Sequence, residues 1–488
     1  VTAATRDASS RSDLPARSPS ASARQRLADY GATVLTALLL LGPALANGFP
    51  FVFADTGTYL LSGAHLSAPW DRPIFYGLFT TLFRPLGSPW PVVAVQALAV
   101  AILLRLFLRA LLGVTGPGAI LVAGIVLAGA TGLPWFAGQL VPDVFSACLI
   151  LALLLLVLAW ERMARLARSV ALATVTGSVS VHYGNLPLAA SALPATALLV
   201  LFGWRPAGGL RRLVAPLLAL GLAIGLGAAA LVSVNLAARR GPVLSASSAT
   251  FLLARLLDDG PALQVLETEC PSAGYRLCGQ LDRLRAYRDL GDARPNGVPV
   301  SDFFLWDGPL ADLGWWAPTE PEAREVVRKA LRIDPLGQVG TTLINGLRQT
   351  WRVAIGDGLA PYPADTQAVR AVREVYGRSG ADSFAASSQM QGLDLRLPNA
   401  IQAVMLPLSI LVLATGALAR WPGRRRVLPL VVLLALLLAA NAVVTGGLSA
   451  VHDRYQARVV WLLVLAATGT GLLAWQQART RRGETEPG

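Results

Sequence analysis

"DVFSACLILALLLLVLAW", residues 143–160, decides the fold of this chain. Past Asp143 it carries no charge, and Ser146 is its one hydroxyl. About 20 helical residues cross the hydrocarbon of a bilayer, so this stretch reads as a membrane-spanning helix. A membrane β-strand would be shorter and would alternate polar and apolar residues. The same pattern recurs on both sides. Spans are expected near 30–49, 88–104, 118–134, 143–160, 169–183, 187–203, 213–235, 399–419, 427–448 and 459–476. The expected class is an all-α polytopic membrane protein with about 10 transmembrane helices.

Composition agrees. The 488 residues are 54% hydrophobic and only 15% charged, less charge than a soluble chain of this size carries. The net charge of +13 is no nucleic-acid signal. It is almost all arginine, Lys329 being the only lysine, and it gathers in short loops. "RLFLRALLG", "ERMARLAR", "WRPAGGLRR", "RWPGRRR" and "QQARTRRG" all fall on one side if the N-terminus is inside. That agreement is the positive-inside rule, and it puts both termini in the cytoplasm. The implied location is a bacterial inner membrane.

Residues 1–29, rich in Ser, Ala and Arg, read as a disordered cytoplasmic tail, and 477–488 as a second tail. Ala44-Leu45-Ala46 also resembles a signal-peptidase site, which offers cleavage after the first apolar run as an alternative. The N-terminal transmembrane core is 30–235, with an outer loop over 50–87. In that loop "DTGTYLLSG" (55–63) reads as a short helix capped by Asp55. "IFYGLFTTLFRPLG" (74–87) is apolar but too short to span, and reads as a surface helix. Residues 236–398 read as a mixed extracytoplasmic domain between spans seven and eight, and 399–476 as the C-terminal transmembrane helices. Within the polar domain "PEAREVVRKALRID" is an amphipathic helix. Cys270 and Cys278, the only cysteines outside a span, suit a disulfide there.

The chemistry-bearing residues collect on the outer side. The first loop holds Asp55, His65, Asp71 and Arg72. Asp143 lies between spans three and four; His182, Tyr183 and Asn185 lie between five and six. His452, Asp453, Arg454, Tyr455 and Arg458 lie between nine and ten. Arg454 and Arg458 are four apart and share a helical face. Guanidinium groups bind phosphate oxygens bidentately, so this pair beside Tyr455 suits a lipid phosphate or diphosphate. Pairing with outer carboxylates is the alternative. Asp55 and Asp143 suit a general base, or together an Mg²⁺ or Mn²⁺ ion, and the sequence leaves both open. No P-loop, dinucleotide fingerprint, HExxH or GxSxG stands in a fitting context, which argues against nucleotide hydrolysis.

"FADTGTYL" with Asp55 just past the first span, the helical stretches 55–63 and 74–87, and the large loop after span seven resemble the GT-C glycosyltransferases. The likeness covers roughly 30–235, in topology more than in motif. Thr56 follows Asp55 where many relatives carry an acidic pair. The resemblance implies transfer of a sugar from a polyprenyl-phosphate carrier to an envelope glycan, lipid or protein acceptor. It implies Asp55 as the base, and Arg454 and Arg458, with Arg72, at the leaving phosphate. Asp143 and His182 would position the sugar, the acceptor or a metal, and the outer domain would bind the acceptor. A lipid or polysaccharide-precursor transporter is the main rival. A non-catalytic envelope scaffold is the third reading.

Overall fold

The computed structural model describes residues 19–206 and 208–485. Residues 1–18, most of the expected N-terminal tail, lie outside the described residues, as do 486–488. The described chain is helical, and its one β-type pairing is an isolated bridge between Phe51 and Gln139.

In order, α1 (Pro19–Leu40) and α2 (Gly42–Asn47) lead into α3 (Thr56–Ala64) and α4 (Phe75–Thr81). Then come α5 (Trp90–Leu106), α6 (Pro117–Ala130), α7 (Leu133–Ala137), α8 (Val144–Ala159) and α9 (Arg165–Val181). A broken helix, α10 (Asn185–Ala190) and α11 (Ala192–Leu201), precedes α12 (Val214–Ala237). Prolines stand in the first turns of α2, α5 and α6, where their missing N–H costs nothing. α8 is the central helix: Val144–Ala159 is buried on every side except at Phe145. α5, α9, α23 (Arg424–Leu448) and α24 (Arg454–Thr485) surround it, and α22 (Arg396–Leu418) packs between α23 and α24.

All ten expected spans are helical, but the count of ten is corrected. Among the described residues six helices are long and apolar enough to cross a membrane: Trp90–Leu112, Val144–Arg162, Leu210–Ala237, Arg396–Leu418, Arg424–Leu448 and Arg454–Arg482. The others fall short for physical reasons. α1 starts at Pro19 instead of 30 and carries Arg24, Arg26 and Asp29 in its first half. α6 has 14 residues, about 21 Å of helix. α9 has 17 residues and a polar first turn. The sixth expected span breaks at Ser191. At the other end α24 runs on to Thr485, so most of the expected C-terminal tail is helix.

The first loop folds as expected into two short helices. α3 and α4 touch backbone to backbone: a Cβ on Gly63 would lie 2.1 Å from the Gly77 carbonyl oxygen. A Cβ on Gly77 would lie 2.5 Å from the Tyr59 carbonyl oxygen. Glycine at both positions therefore sets how close the loop helices lie, and with it where Asp55 and Arg72 sit.

The 236–398 region is not mixed; it is helical, and it divides in two. α13 (Ser248–Asp259), α14 (Pro261–Glu269), α15 (Leu281–Asp289), α16 (Val300–Trp306), α17 (Pro309–Asp312) and α18 (Trp316–Ile333) share a core of their own around Leu257, Leu266, Leu284, Phe304 and Val326. α18 contains the amphipathic stretch read from the sequence. Cys270 and Cys278 are joined as a disulfide within this unit. The remainder returns to the bundle. α19 (Pro335–Thr350) lies along α23, and α20 (Gln367–Ala385), followed by α21 (Ser388–Gln391), packs on α3.

The Arg-rich segments meet at one end. Arg162 donates to the Leu111 carbonyl at 2.9 Å, and Arg426 donates to that of Leu112. Arg109 pairs with Asp29 at 3.3 Å, and Gln476 donates to the Thr115 carbonyl at 3.2 Å. The starts of α8 and α24 and the end of α9 lie at the opposite end, where the remaining polar residues gather.

Candidate functional site

Two of the carboxylates occupy helix starts but do not cap. Asp55 precedes α3 and Asp143 precedes α8, and neither side chain accepts a bond from its own helix. Both turn to arginine instead. Asp55 Oδ1 accepts from Arg72 at 2.8 Å. Asp143 accepts from Arg454 through Oδ2 at 2.8 Å and from Arg458 through Oδ1 at 2.7 Å. The Arg454 nitrogen that binds Asp143 also lies 3.8 Å from Asp55 Oδ2. One network thus joins the first loop, the start of α8 and the first turn of α24. It is closed to water at its core, since the side chains of Asp143 and Arg458 are each 1% exposed.

Aromatic faces complete the enclosure. The Arg454 guanidinium lies 3.7 Å over the Phe53 ring, and Arg458 faces Tyr455 at 5.3 Å. Arg72 sits 5.8 Å and 5.7 Å from the rings of Phe251 and Trp306, which come from α13 and α16. The 248–333 unit therefore lies against the cluster. Cations on aromatic faces gain most where water is excluded.

Burial alone would raise the Asp55 carboxyl, but the Arg72 and Arg454 guanidiniums outweigh it and hold Asp55 below the usual range. Asp71 goes the other way. Burial pushes its carboxyl up against the opposing pull of Arg72, whose nitrogen stands 3.9 Å off. Arg72 donates instead to the Asp71 carbonyl at 2.9 Å.

Arg458 has unused bonding capacity. Its Nε is buried without a partner. Its terminal nitrogen lies 3.4 Å from His182 Nε2. His182 Nδ1 accepts from the Gly184 N–H at 3.1 Å, so the neutral ring carries its proton on Nε2. Two donors then face each other at 3.4 Å, the Arg458 nitrogen being the one that also donates to Asp143.

Of the residues singled out in the sequence, Asp55, Asp71, Arg72, Asp143, His182, Arg454, Tyr455 and Arg458 come together. Three do not join. Asn185 is spent holding helices: it accepts from Ser146 Oγ at 2.8 Å and donates to the Ser178 carbonyl at 2.8 Å. Tyr183 is half-buried with no ion-pair role. His452 points to the 248–333 unit, with Nε2 3.0 Å from Asp302 Oδ2 and Nδ1 3.6 Å from Asp357 Oδ2. His65, on the first loop, pairs with Glu374 at 2.5 Å, away from the cluster.

Asp55 and Asp143, read as a possible Mg²⁺ or Mn²⁺ pair, are bonded to arginine in the fold. Arg454 already stands between them, and both accept charge-assisted hydrogen bonds. Among the described residues no three His, Cys, Asp or Glu converge as a metal site. An octahedral oxygen-ligand ion does not fit this donor set.

Phe53, Phe251, Trp306, Asp302 and Asp357 were missed. Asp357 accepts the Arg454 backbone N–H at 3.2 Å. Phe251 and Trp306 lie 179 and 234 positions from Arg72, Asp302 and Asp357 lie 150 and 95 from His452, and no local pattern marks them. Phe53 lay within the quoted "FADTGTYL", where an aromatic beside a future arginine was the available signal.

No protein-family model matches the chain, and no curated protein or solved structure does.

Proposed function

We propose that the chain is a membrane glycosyltransferase of GT-C type, moving a sugar from a polyprenyl-phosphate carrier to an envelope glycan, lipid or protein acceptor. The Arg-rich end faces the cytoplasm by the positive-inside rule, which places the Asp55 end at the outer face of a bacterial inner membrane. The observation that carries the reading is the buried cluster of Arg72, Arg454 and Arg458 with Asp55 and Asp143 at that end. Three guanidiniums converge there on directly bonded Asp55 and Asp143, with Asp71 3.9 Å from Arg72, and a phosphate can take over their bonds.

The chemistry follows from exchange of partners. The carrier phosphate displaces the carboxylates from Arg72 and Arg454 and reaches the unpartnered Nε of Arg458. Asp55, freed from the two charges that weaken it, regains basicity. It takes the proton of the acceptor hydroxyl as that oxygen attacks the anomeric carbon. The bond from that carbon to the phosphate oxygen breaks, and its electron pair leaves with the phosphate. The arginines stabilise that charge where water is excluded, which is the larger contribution. His182 Nε2–H holds a further oxygen of the sugar or phosphate.

Native mass spectrometry of the purified protein tests this. A polyprenyl phosphate or its sugar should co-purify with wild type and be lost from Arg454→Gln/Arg458→Gln. The mass then identifies the donor for a transfer assay, in which Asp55→Asn should lower turnover by about 10²–10⁴-fold. Full turnover in Asp55→Asn, or movement of the lipid across vesicles with no glycosidic product, rejects the transferase.

A further inference from the structure

The opposite end of the bundle holds a second site, independent of the proposed transferase. A cavity of about 680 Å³ opens between the end of α11 and the turn joining α22 to α23. Arg205, Arg420, Arg424 and Arg425 line it. No Asp or Glu lines it, and none of the four guanidiniums lies within 4.0 Å of a carboxylate among the described residues. Four cations therefore share one cavity with no counter-charge among the described residues.

Two of them are held in place. Arg205 donates to the Val200 and Trp204 carbonyls, the latter at 3.0 Å, and Arg424 Nε donates to that of Ala417 at 2.9 Å. Arg420 and Arg425 are exposed and spend nothing on the fold. Trp204 and Trp421 line it as well, and indoles are enriched at headgroup depth. Trp421 Nε1 is tied to the Gly416 carbonyl at 2.6 Å, which fixes its ring. Below the arginines the wall turns apolar, through Leu199, Leu428 and Val432. α23 is 25 residues long, so this cavity lies about 35 Å of helix from the Asp55 cluster.

Topology alone asks only for positive charge at this end. It does not ask for a cavity, fixed guanidiniums or an apolar wall. We propose that the cavity binds the phosphate headgroup of an anionic lipid, one acyl chain lying along Leu199, Leu428 and Val432. Free phosphate shares the headgroup chemistry but has no use for that wall.

The test is lipid retention by the full-length protein, read by native mass spectrometry after partial delipidation. The probes are phosphatidylglycerol, phosphatidylcholine and inorganic phosphate. Wild type should retain phosphatidylglycerol over phosphatidylcholine. Each arginine beside an anionic headgroup is worth about a factor of five, so Arg420→Gln/Arg424→Gln/Arg425→Gln should weaken retention about a hundredfold. Val432→Trp, which keeps every charge and fills the wall, should also release the lipid. Arg211→Gln/Arg212→Gln, at the same end but outside the cavity, should not, nor should Arg454→Gln. Equal retention of both lipids, equal loss from the Arg211/Arg212 variant, or full retention by Val432→Trp overturns the proposal. So does inorganic phosphate that binds wild type as tightly as the lipid does.

Discussion

Asp143 neutralises two guanidiniums at once, Arg458 fully cut off from water and Arg454 largely so, with 11% of its side chain exposed. Its partners differ in what they lose when it goes. Without Arg458, Asp143 still accepts from Arg454 at 2.8 Å. Without Asp143, two cations remain buried side by side, one of them already facing the His182 Nε2 proton. Breaking a buried pair from one side costs about 3–5 kcal/mol, because the remaining charge is stranded. Asp143→Ala should therefore lose about that much stability in detergent, and Arg458→Gln clearly less, as thermal unfolding would measure. Equal losses would mean that the charges are not shared as the geometry has them. Asp143, Arg454 and Arg458 were legible because charges at the ends of apolar runs are conspicuous. Their pairing was not, since the partners are more than 300 positions apart. The sequence reading of Asp55 as a helix cap failed for a different reason: Arg72, 17 positions on in the same loop, offers the carboxylate a charge-assisted bond that the α3 N–H groups do not match.

At the scale of elements, apolar runs of span length came through as helices because length and composition suffice for them. α19 shows where that rule stops. It begins cleanly, with Pro335 in its first turn and the Asp334 carboxylate accepting from the Gly337 N–H at 2.8 Å. Between Asp334 and Arg348 it has no charge, but that is only about 20 Å of helix, and it was read as part of a polar domain. In the fold it lies along α23, with Gly346 against Val443 and Gly447 against Thr342. Leu336, Val339, Leu343 and Leu347 are left exposed along its other face, and Trp351 follows at 77% exposure. Such a face beside a membrane-length helix belongs in lipid. Spin labels at Leu343→Cys and Leu347→Cys should be more accessible to oxygen than to a water-soluble nickel complex. A label at Arg328→Cys, on exposed α18, should show the reverse. The same water-favouring pattern at all three sites would place α19 outside the bilayer.

For the molecule as a whole, the decisive contact is between the 248–333 unit and the end of the bundle it covers. That unit rests on Arg72 through Phe251 and Trp306, and the chain leading into it is tied to the first loop by Ser247 Oγ donating to the Trp70 carbonyl at 2.9 Å. Its titratable links include His452 with Asp302 at 3.0 Å and, more weakly, Asp259 accepting from Asn345 at 3.4 Å. Gln349 holds the His452 backbone from the α19 side at 2.7 Å and 3.0 Å, so the ring has little freedom to turn away. Burial alone would lower the His452 pKa, and Arg454 adds to that. The hydrogen bond and charge of Asp302, with the charge of Asp357, outweigh both and raise it above 6.5. A histidine with a raised folded-state pKa stabilises the contact fully below its unfolded value. That contribution is lost as pH rises from 6.5 through the raised folded value. Hydrogen exchange across Val300–Trp306, corrected for the intrinsic pH dependence, should therefore be slowest below pH 6.5 and quicken above it. In His452→Gln the corrected rate should be flat with pH and stay at the high-pH level of wild type, and Asp302→Asn should behave the same way. A wild-type pH dependence that survives in His452→Gln would mean that another titratable group, such as Asp259 where it accepts from Asn345, and not His452, sets the hold on the unit.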